Sequence, residues 1–191
     1  MLRTGRLLHA GFLCCILATA SCSGLEKDGP VRPAESFSQI RHDYVLWFLK
    51  RNPVVATYLG GSALDPSLAG VDGTLRDLSV KGLRQEDEQL QSFKETVEGI
   101  DPMKLTAQER VDREVILSQI RFLLHQHQVR HYQQRALDSF IDEPFRGIDW
   151  QLQGMDRTGE KTYGSIQEWI LVAERLEAIP RYLSVAADQL R

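Results

Sequence analysis

Two histidines four residues apart, His127 and His131 in the stretch HQVRH, come closest in this sequence to metal chemistry. On an α-helix, positions i and i+4 share a face, and two imidazoles so placed can bind one zinc ion if a third ligand arrives from elsewhere. The zinc-peptidase pattern His-Glu-x-x-His also needs its carboxylate to take a proton from metal-bound water. Gln128 stands in that place and cannot do so. His125 falls on a different face of the same helix, and no cysteine follows Cys22. The pattern favours a structural pair; His127 and His131 are candidate metal ligands only if a base and a further ligand are imported. Asp138, Asp142 and Glu143, beside Phe140 and Phe145, read as solvated loop carboxylates, and Trp47, Trp150 and Trp169 read as core. There is no G-x-S-x-G, no phosphate-cradling glycine loop and no C-x-x-C pair, so no catalytic residue is assigned.

The element that must carry the histidines is a helix over about 107–135, opened by the capping box Thr106-Ala-Gln-Glu109. Ile116, Leu117, Ile120, Leu123 and Leu124 cluster on one side of it, and His127 and His131 continue that stripe toward the interior. Val111, Val115, Phe122 and Val129 form a second stripe opposite, which predicts a helix sandwiched between neighbours. Earlier in the chain, Phe37, Ile40, Tyr44, Trp47 and Phe48 recur at helical steps after the N-cap Ser36, until Asn52-Pro53 breaks the run. Val54 to Leu59 adds a helical turn. Residues 60–78 hold four glycines and a proline and read as a structured loop. The next helix spans about 79–99, with Leu83, Leu90, Phe93, Val97 and Ile100 inward and Glu86, Asp87, Glu88, Lys94 and Glu95 on the solvated side. Pro144, Gly147, Gly154 and Gly159 predict an irregular stretch over 142–163; a helix follows from Ser165 to Ala178, and Pro180 starts another. No period-two alternation is sustained. The expected fold is all-α, with antiparallel helices joined by short connections.

The 191 residues are 42% hydrophobic and 26% charged, with a net charge of -3, which suits a globular domain and gives no electrostatic reason to expect nucleic acid as a partner. The first 21 residues read as a lipoprotein-type signal peptide: Arg3 and Arg6 precede an apolar run from Ala10 to Ala20 that is short for a membrane span. Small residues then lead to Cys22, the expected lipid attachment site, although Thr19 stands where leucine is more usual. An ordinary secretory signal cleaved nearby is the alternative. Lipidation also removes an unpaired thiol from an oxidising compartment. Residues 22–34 read as a flexible tether and 35–191 as the helical domain. Export to the periplasm or outer membrane, with the membrane as a partner through the lipid anchor, is the expected location.

Three stretches, YVLWFLKRNPVVATYLG at 44–60, IDPMKLTAQERVDREVILSQI at 100–120 and YGSIQEWILVAERLEAIPRYLSVAADQLR at 163–191, resemble the bacterial family called domain of unknown function 885. The resemblance runs from about residue 35 to 191. It implies an exported, helical protein of zincin-like architecture, the N-terminal portion of a larger domain whose longer relatives are predicted zinc metallopeptidases. Their His-Glu-x-x-His helix lies far downstream of the matched region, so HQVRH does not correspond to it and no zinc ligand carries over. On this basis zinc belongs to the longer relatives and no cofactor is assigned to this chain.

Two functional readings follow. In the first, the chain is an N-terminal helical fragment of such a protein, inactive alone, whose helices wall a substrate cleft together with a missing C-terminal half. In the second, it is a self-sufficient helical lipoprotein that binds a peptide or protein. The absence of a capping glycine or polar tail before Arg191 favours the first.

Overall fold

The computed structural model describes residues 36–129, 137–157, 159 and 162–189. Cys22 and His131 lie outside these residues, as do the signal peptide and tether and the last turns expected of the histidine helix. Among the described residues there is no β-strand, and the chain is all-α as its periodicity predicts. The helices are α1 (Phe37–Arg51), α2 (Pro53–Tyr58), α3 (Val80–Glu98), α4 (Ala107–Gln128), α5 (Leu137–Met155) and α6 (Ile166–Gln189). Three short 3-10 turns, at Gly61–Ala63, Pro66–Leu68 and Val71–Gly73, give the glycine-rich loop its structure. No described helix is long and apolar enough to cross a membrane.

The helix starts follow local chemistry. Ser36, Ser79 and Thr106 each accept a backbone N–H of the first turn, from Gln39, Gly82 and Glu109. At Thr106 the Glu109 carboxylate also reaches back to the cap N–H, completing the capping box. Asn52 separates α1 from α2, whose first residue is Pro53, the position where a missing N–H costs nothing.

The apolar faces then select two groups of helices. Helix α1 packs with α3 and α4 around Tyr44, Leu90, Val97, Leu117 and Ile120, with Phe93 edge-on to Tyr44 and Trp47 tilted beside both. Helix α2 packs on α5, α5 on α6, and α6 on the Val71–Gly73 turn. Leu49, Ala56, Leu68 and Val71 join the groups where α1 passes into α2.

Five expectations are corrected. Residues 142–155 are helical: Phe140, Pro144, Gly147, Gln151 and Met155 form a buried stripe at three- and four-residue steps, and packing of that stripe outweighs the bond Pro144 cannot donate. Gly147 permits this close approach, since a Cβ would stand 3.0 Å from Val54 Cγ2 and 3.1 Å from Arg175 Cδ and both would have to give way. Pro180 does not break α6; it lies on the exposed face next to the exposed Leu176, the residue whose carbonyl loses its helical donor. Among the described residues helix α4 is covered on one side, and Val111, Val115 and Phe122 on the other are exposed. Trp169 is also exposed, its indole N–H held by the carbonyl of Tyr163. Glu86, expected on the solvated side of α3, is 2% exposed.

Candidate functional site

The buried Glu86 marks the place where α1, α3, α4 and the loop before α3 meet. Its position follows from α3: Gly82, Glu86, Leu90 and Val97 share one inward face, so Glu86 occupies an apolar stripe as its one charge. Two guanidinium groups meet it. Arg51, in the last turn of α1, bonds Glu86 Oε2 at 2.8 Å and the Asp77 carbonyl at 2.6 Å. Arg76, from the loop, bonds Glu86 Oε1 at 2.9 Å. Both oxygens are therefore taken by charge-assisted bonds, the arrangement that makes a buried carboxylate tolerable.

His127 reaches the same place from the last turn of α4, inward as its stripe predicts, while His125 is exposed. Its Nδ1 lies 2.6 Å from Asp87 Oδ1, so the ring donates there, and its Nε2 stands 3.7 Å from Glu86 Oε1. Asp87 and His127 border an open cleft of about 660 Å³ between α3 and the end of α6, which Arg84 and Asp188 also line. Tyr44 sits in the neighbouring core, its hydroxyl bonded to Gln119 at 2.9 Å, and burial together with the charge of Glu86 pushes its ionisation above the usual phenol range.

A second buried charge lies in the other group of helices. Arg175, on the inward stripe of α6 with Val172, Tyr182 and Ala186, is fully buried. Its fork donates to the carbonyls of Val71 (3.1 Å), Thr74 (3.1 Å) and Gly147 (2.7 Å), to Thr57 Oγ1 (2.8 Å) and to Gln151 Oε1 (3.2 Å). Burial lowers its pKa to about 10, against the opposing pull of Asp72 and Glu143. Asp72 is linked through Thr57, whose hydroxyl donates to it at 2.6 Å. Glu143, expected as a solvated loop carboxylate, is half-buried on α5; burial raises its pKa, although the Arg76 N–H and the Arg76 and Arg175 charges oppose the shift. Asp142 is exposed, as expected of it.

The stretch of chain that builds both centres also decides the family. Residues 53–191 match the model described as "Bacterial protein of unknown function (DUF885)". The chain belongs to this family. No curated protein and no solved structure matches it. In this DUF885 chain the matched segment holds Arg76, Glu86, His127 and Arg175, whereas Arg51 and Tyr44 come from α1, just before it.

The zinc implied for longer relatives does not fit the donors described here. A zinc ligand needs a free lone pair about 2.0–2.2 Å from the ion. His127, with Nδ1 donating to Asp87, offers the single lone pair of Nε2, and the carboxylate facing that nitrogen already has an arginine on each oxygen. Among the described residues no group of three or more His, Cys, Asp or Glu side chains is placed to share an ion. Of the candidate pair, His127 is a bonded interior residue, and His131 lies outside the described residues.

Sequence reasoning missed Glu86, Arg51, Arg76 and Arg175 as a set. The signal was available for two of them: Glu86 and Arg175 are charged residues inside stripes of apolar residues at helical spacing, Leu83 to Leu90 and Val172 to Tyr182.

Proposed function

We propose that this DUF885 chain is a non-catalytic helical module of an exported, lipid-anchored protein, and that it holds an apolar helical segment against α5 and α6. The observation that carries this reading is a groove of about 430 Å³ between those helices, walled by Ile141, Phe145, Ile148 and Leu152 and floored by Ile179. Ile141 and Phe145 are more than half exposed, and contiguous exposed apolar side chains on a folded protein mark a surface that another chain covers. A groove between two helices suits an amphipathic helix with anchors three and four residues apart. In this reading the ligand is protein, the metallopeptidase chemistry implied for the family resides outside the described residues, and Cys22 carries the acyl anchor. The engagement of His127 by Asp87 and its approach to Glu86 supports a structural role for that ring.

The test is binding of a fluorescent amphipathic peptide by the full chain in non-ionic detergent. Saturable binding that Phe145→Asp abolishes, with helicity by circular dichroism unchanged, is the expected result; binding indifferent to Phe145 overturns it. With excess zinc and mixed peptides the chain should cleave nothing, and cleavage that a chelator stops would show that the module is catalytic after all. A Cys22→Ala variant should lose membrane association and labelled lipid together.

A further inference from the structure

The outer face of α6 carries a seam more regular than a generic apolar patch. Trp169, Ala173, Leu176, Pro180, Leu183 and Ala187 follow one another at steps of four, three, four, three and four residues. This is the 3.5-residue repeat of a helix that packs along its length against another. Every one of the six is exposed, with Trp169, Leu176 and Leu183 at 46%, 49% and 43%. The seam therefore has no partner within the described residues, although it belongs to a helix whose opposite side, around Val172 and Arg175, is fully covered.

The order of large and small residues points to what covers it. In antiparallel pairing about a two-fold axis at residue 178, Trp169 of one chain faces Ala187 of the other, Leu183 faces Ala173, and Leu176 faces Pro180. Each bulky side chain meets a small or flat one in all three layers, and each layer occurs twice by symmetry, the self-complementarity that a two-fold interface requires. Parallel pairing would set Trp169 against Trp169 and Ala173 against Ala173, alternating collisions with gaps.

We infer that the occupant of this face is a second copy of the same chain, joined through an antiparallel α6–α6 seam. The inference rests on the reading of α5 and α6 as a binding surface and names its partner. Ile179, which floors the α5–α6 groove, flanks the seam, and antiparallel pairing brings this flank of both copies to one side. The two α5 stripes then close over it, and α5, α6 and their symmetry mates make a four-helix bundle. A strip about 36 Å long and two helices of about 10 Å wide covers roughly 700 Å², close to the about 800 Å² per partner of a standard stable interface. Glu177 lies beside the axis and meets its own copy, so Glu177→Gln should tighten the pair.

The experiment is the mass of the full chain by light scattering in non-ionic detergent across a dilution series. Two copies are expected, and Leu176→Glu with Leu183→Glu should give one copy at the same helicity, because both residues are exposed. The register is tested by exchange. Ala173→Leu alone sets leucine against leucine and should weaken the pair at least tenfold. Adding Leu183→Ala restores one large and one small residue per layer and should recover most of that loss. A double variant no tighter than Ala173→Leu overturns the register, and a wild-type chain that is a single copy at all concentrations overturns the inference. A single-copy chain that still binds the peptide through Phe145 would overturn this pairing and leave the binding surface standing; one that binds no peptide would end both.

Discussion

Glu86 and Arg175 are both buried single charges on apolar helix stripes, and the protein accommodates them by opposite means. Glu86 is met by other side chains: Arg51 and Arg76 on its oxygens, with His127 behind. Arg175 is met chiefly by the main chain, through the carbonyls of Val71, Thr74 and Gly147, with Thr57 and Gln151 completing the fork. A cluster of side chains can be exchanged as a set for apolar groups, and such exchanges are often neutral or stabilising. A cluster of carbonyls cannot be exchanged, because the backbone keeps its acceptors whatever the sequence. Arg175 is therefore the less replaceable of the two, although no described carboxylate bonds it directly.

Removing Arg175 should have the largest effect. Arg175→Met strands several buried oxygens at about 1–3 kcal/mol each, so urea unfolding should show a loss of about 4 kcal/mol or more. Arg175→Lys keeps the charge but not the planar fork and should recover less than half of this. A loss below about 1 kcal/mol for the methionine variant would break the comparison. At the other centre, Glu86→Gln leaves two guanidinium groups that are about one-fifth exposed and can turn to water, so about 2 kcal/mol is expected. The triple change Glu86→Leu, Arg51→Met, Arg76→Met should return to within about 1 kcal/mol of the wild type, which no set of changes around Arg175 should achieve. His127→Gln removes one bond to a partly exposed Asp87 and should cost about 1 kcal/mol by the same measurement, with or without zinc present.

The smallest effect extends the comparison to the surface. Glu168, in the first turn of α6, accepts from Arg157 and from the N–H of Ser165, and these bonds lower its pKa from 4.5 to about 2. The folded state thus binds fewer protons than the unfolded one in this window, so the stabilisation is complete above about pH 4.5 and is lost as pH falls toward 2. Solvent screening keeps it under about 1 kcal/mol. Glu168→Gln should flatten this part of the stability profile measured by acid titration; an unchanged slope would remove Glu168 from the account.

Much of the architecture was legible because it depends on near neighbours in sequence. The caps at Ser36, Ser79 and Thr106, the stripes of α1, α3 and α4, and the inward aim of His127 are set by residues within one or two turns. The errors came where distant packing decided. Pro144, Gly147 and Pro180 are helix breakers by local preference, and each is overruled by what lies, or does not lie, beside it in space. Glu86 and Arg175 were hidden for the same reason: their partners come from 10 to 118 residues away, a distance no spacing rule spans. The apolar Val111, Val115 and Phe122 show the converse, a periodicity with no described element against it.

The reach of Arg175 also bears on when the chain can finish folding. Helices α3 and α4 adjoin in sequence and can pair as soon as both exist, since their contacts close short loops. In the loop at 60–78 the Val71 carbonyl finds a local donor in Thr74, but the Thr74 carbonyl has no such early partner and waits for a guanidinium more than 100 residues further on. A chain emerging N-terminus first thus carries an open, water-facing loop until α6 arrives, and the order of emergence becomes the order of assembly. Pulse-labelled hydrogen exchange during refolding would see it directly: amides of α3 and α4 protected in the first phase, those around residues 71–75 only in the last.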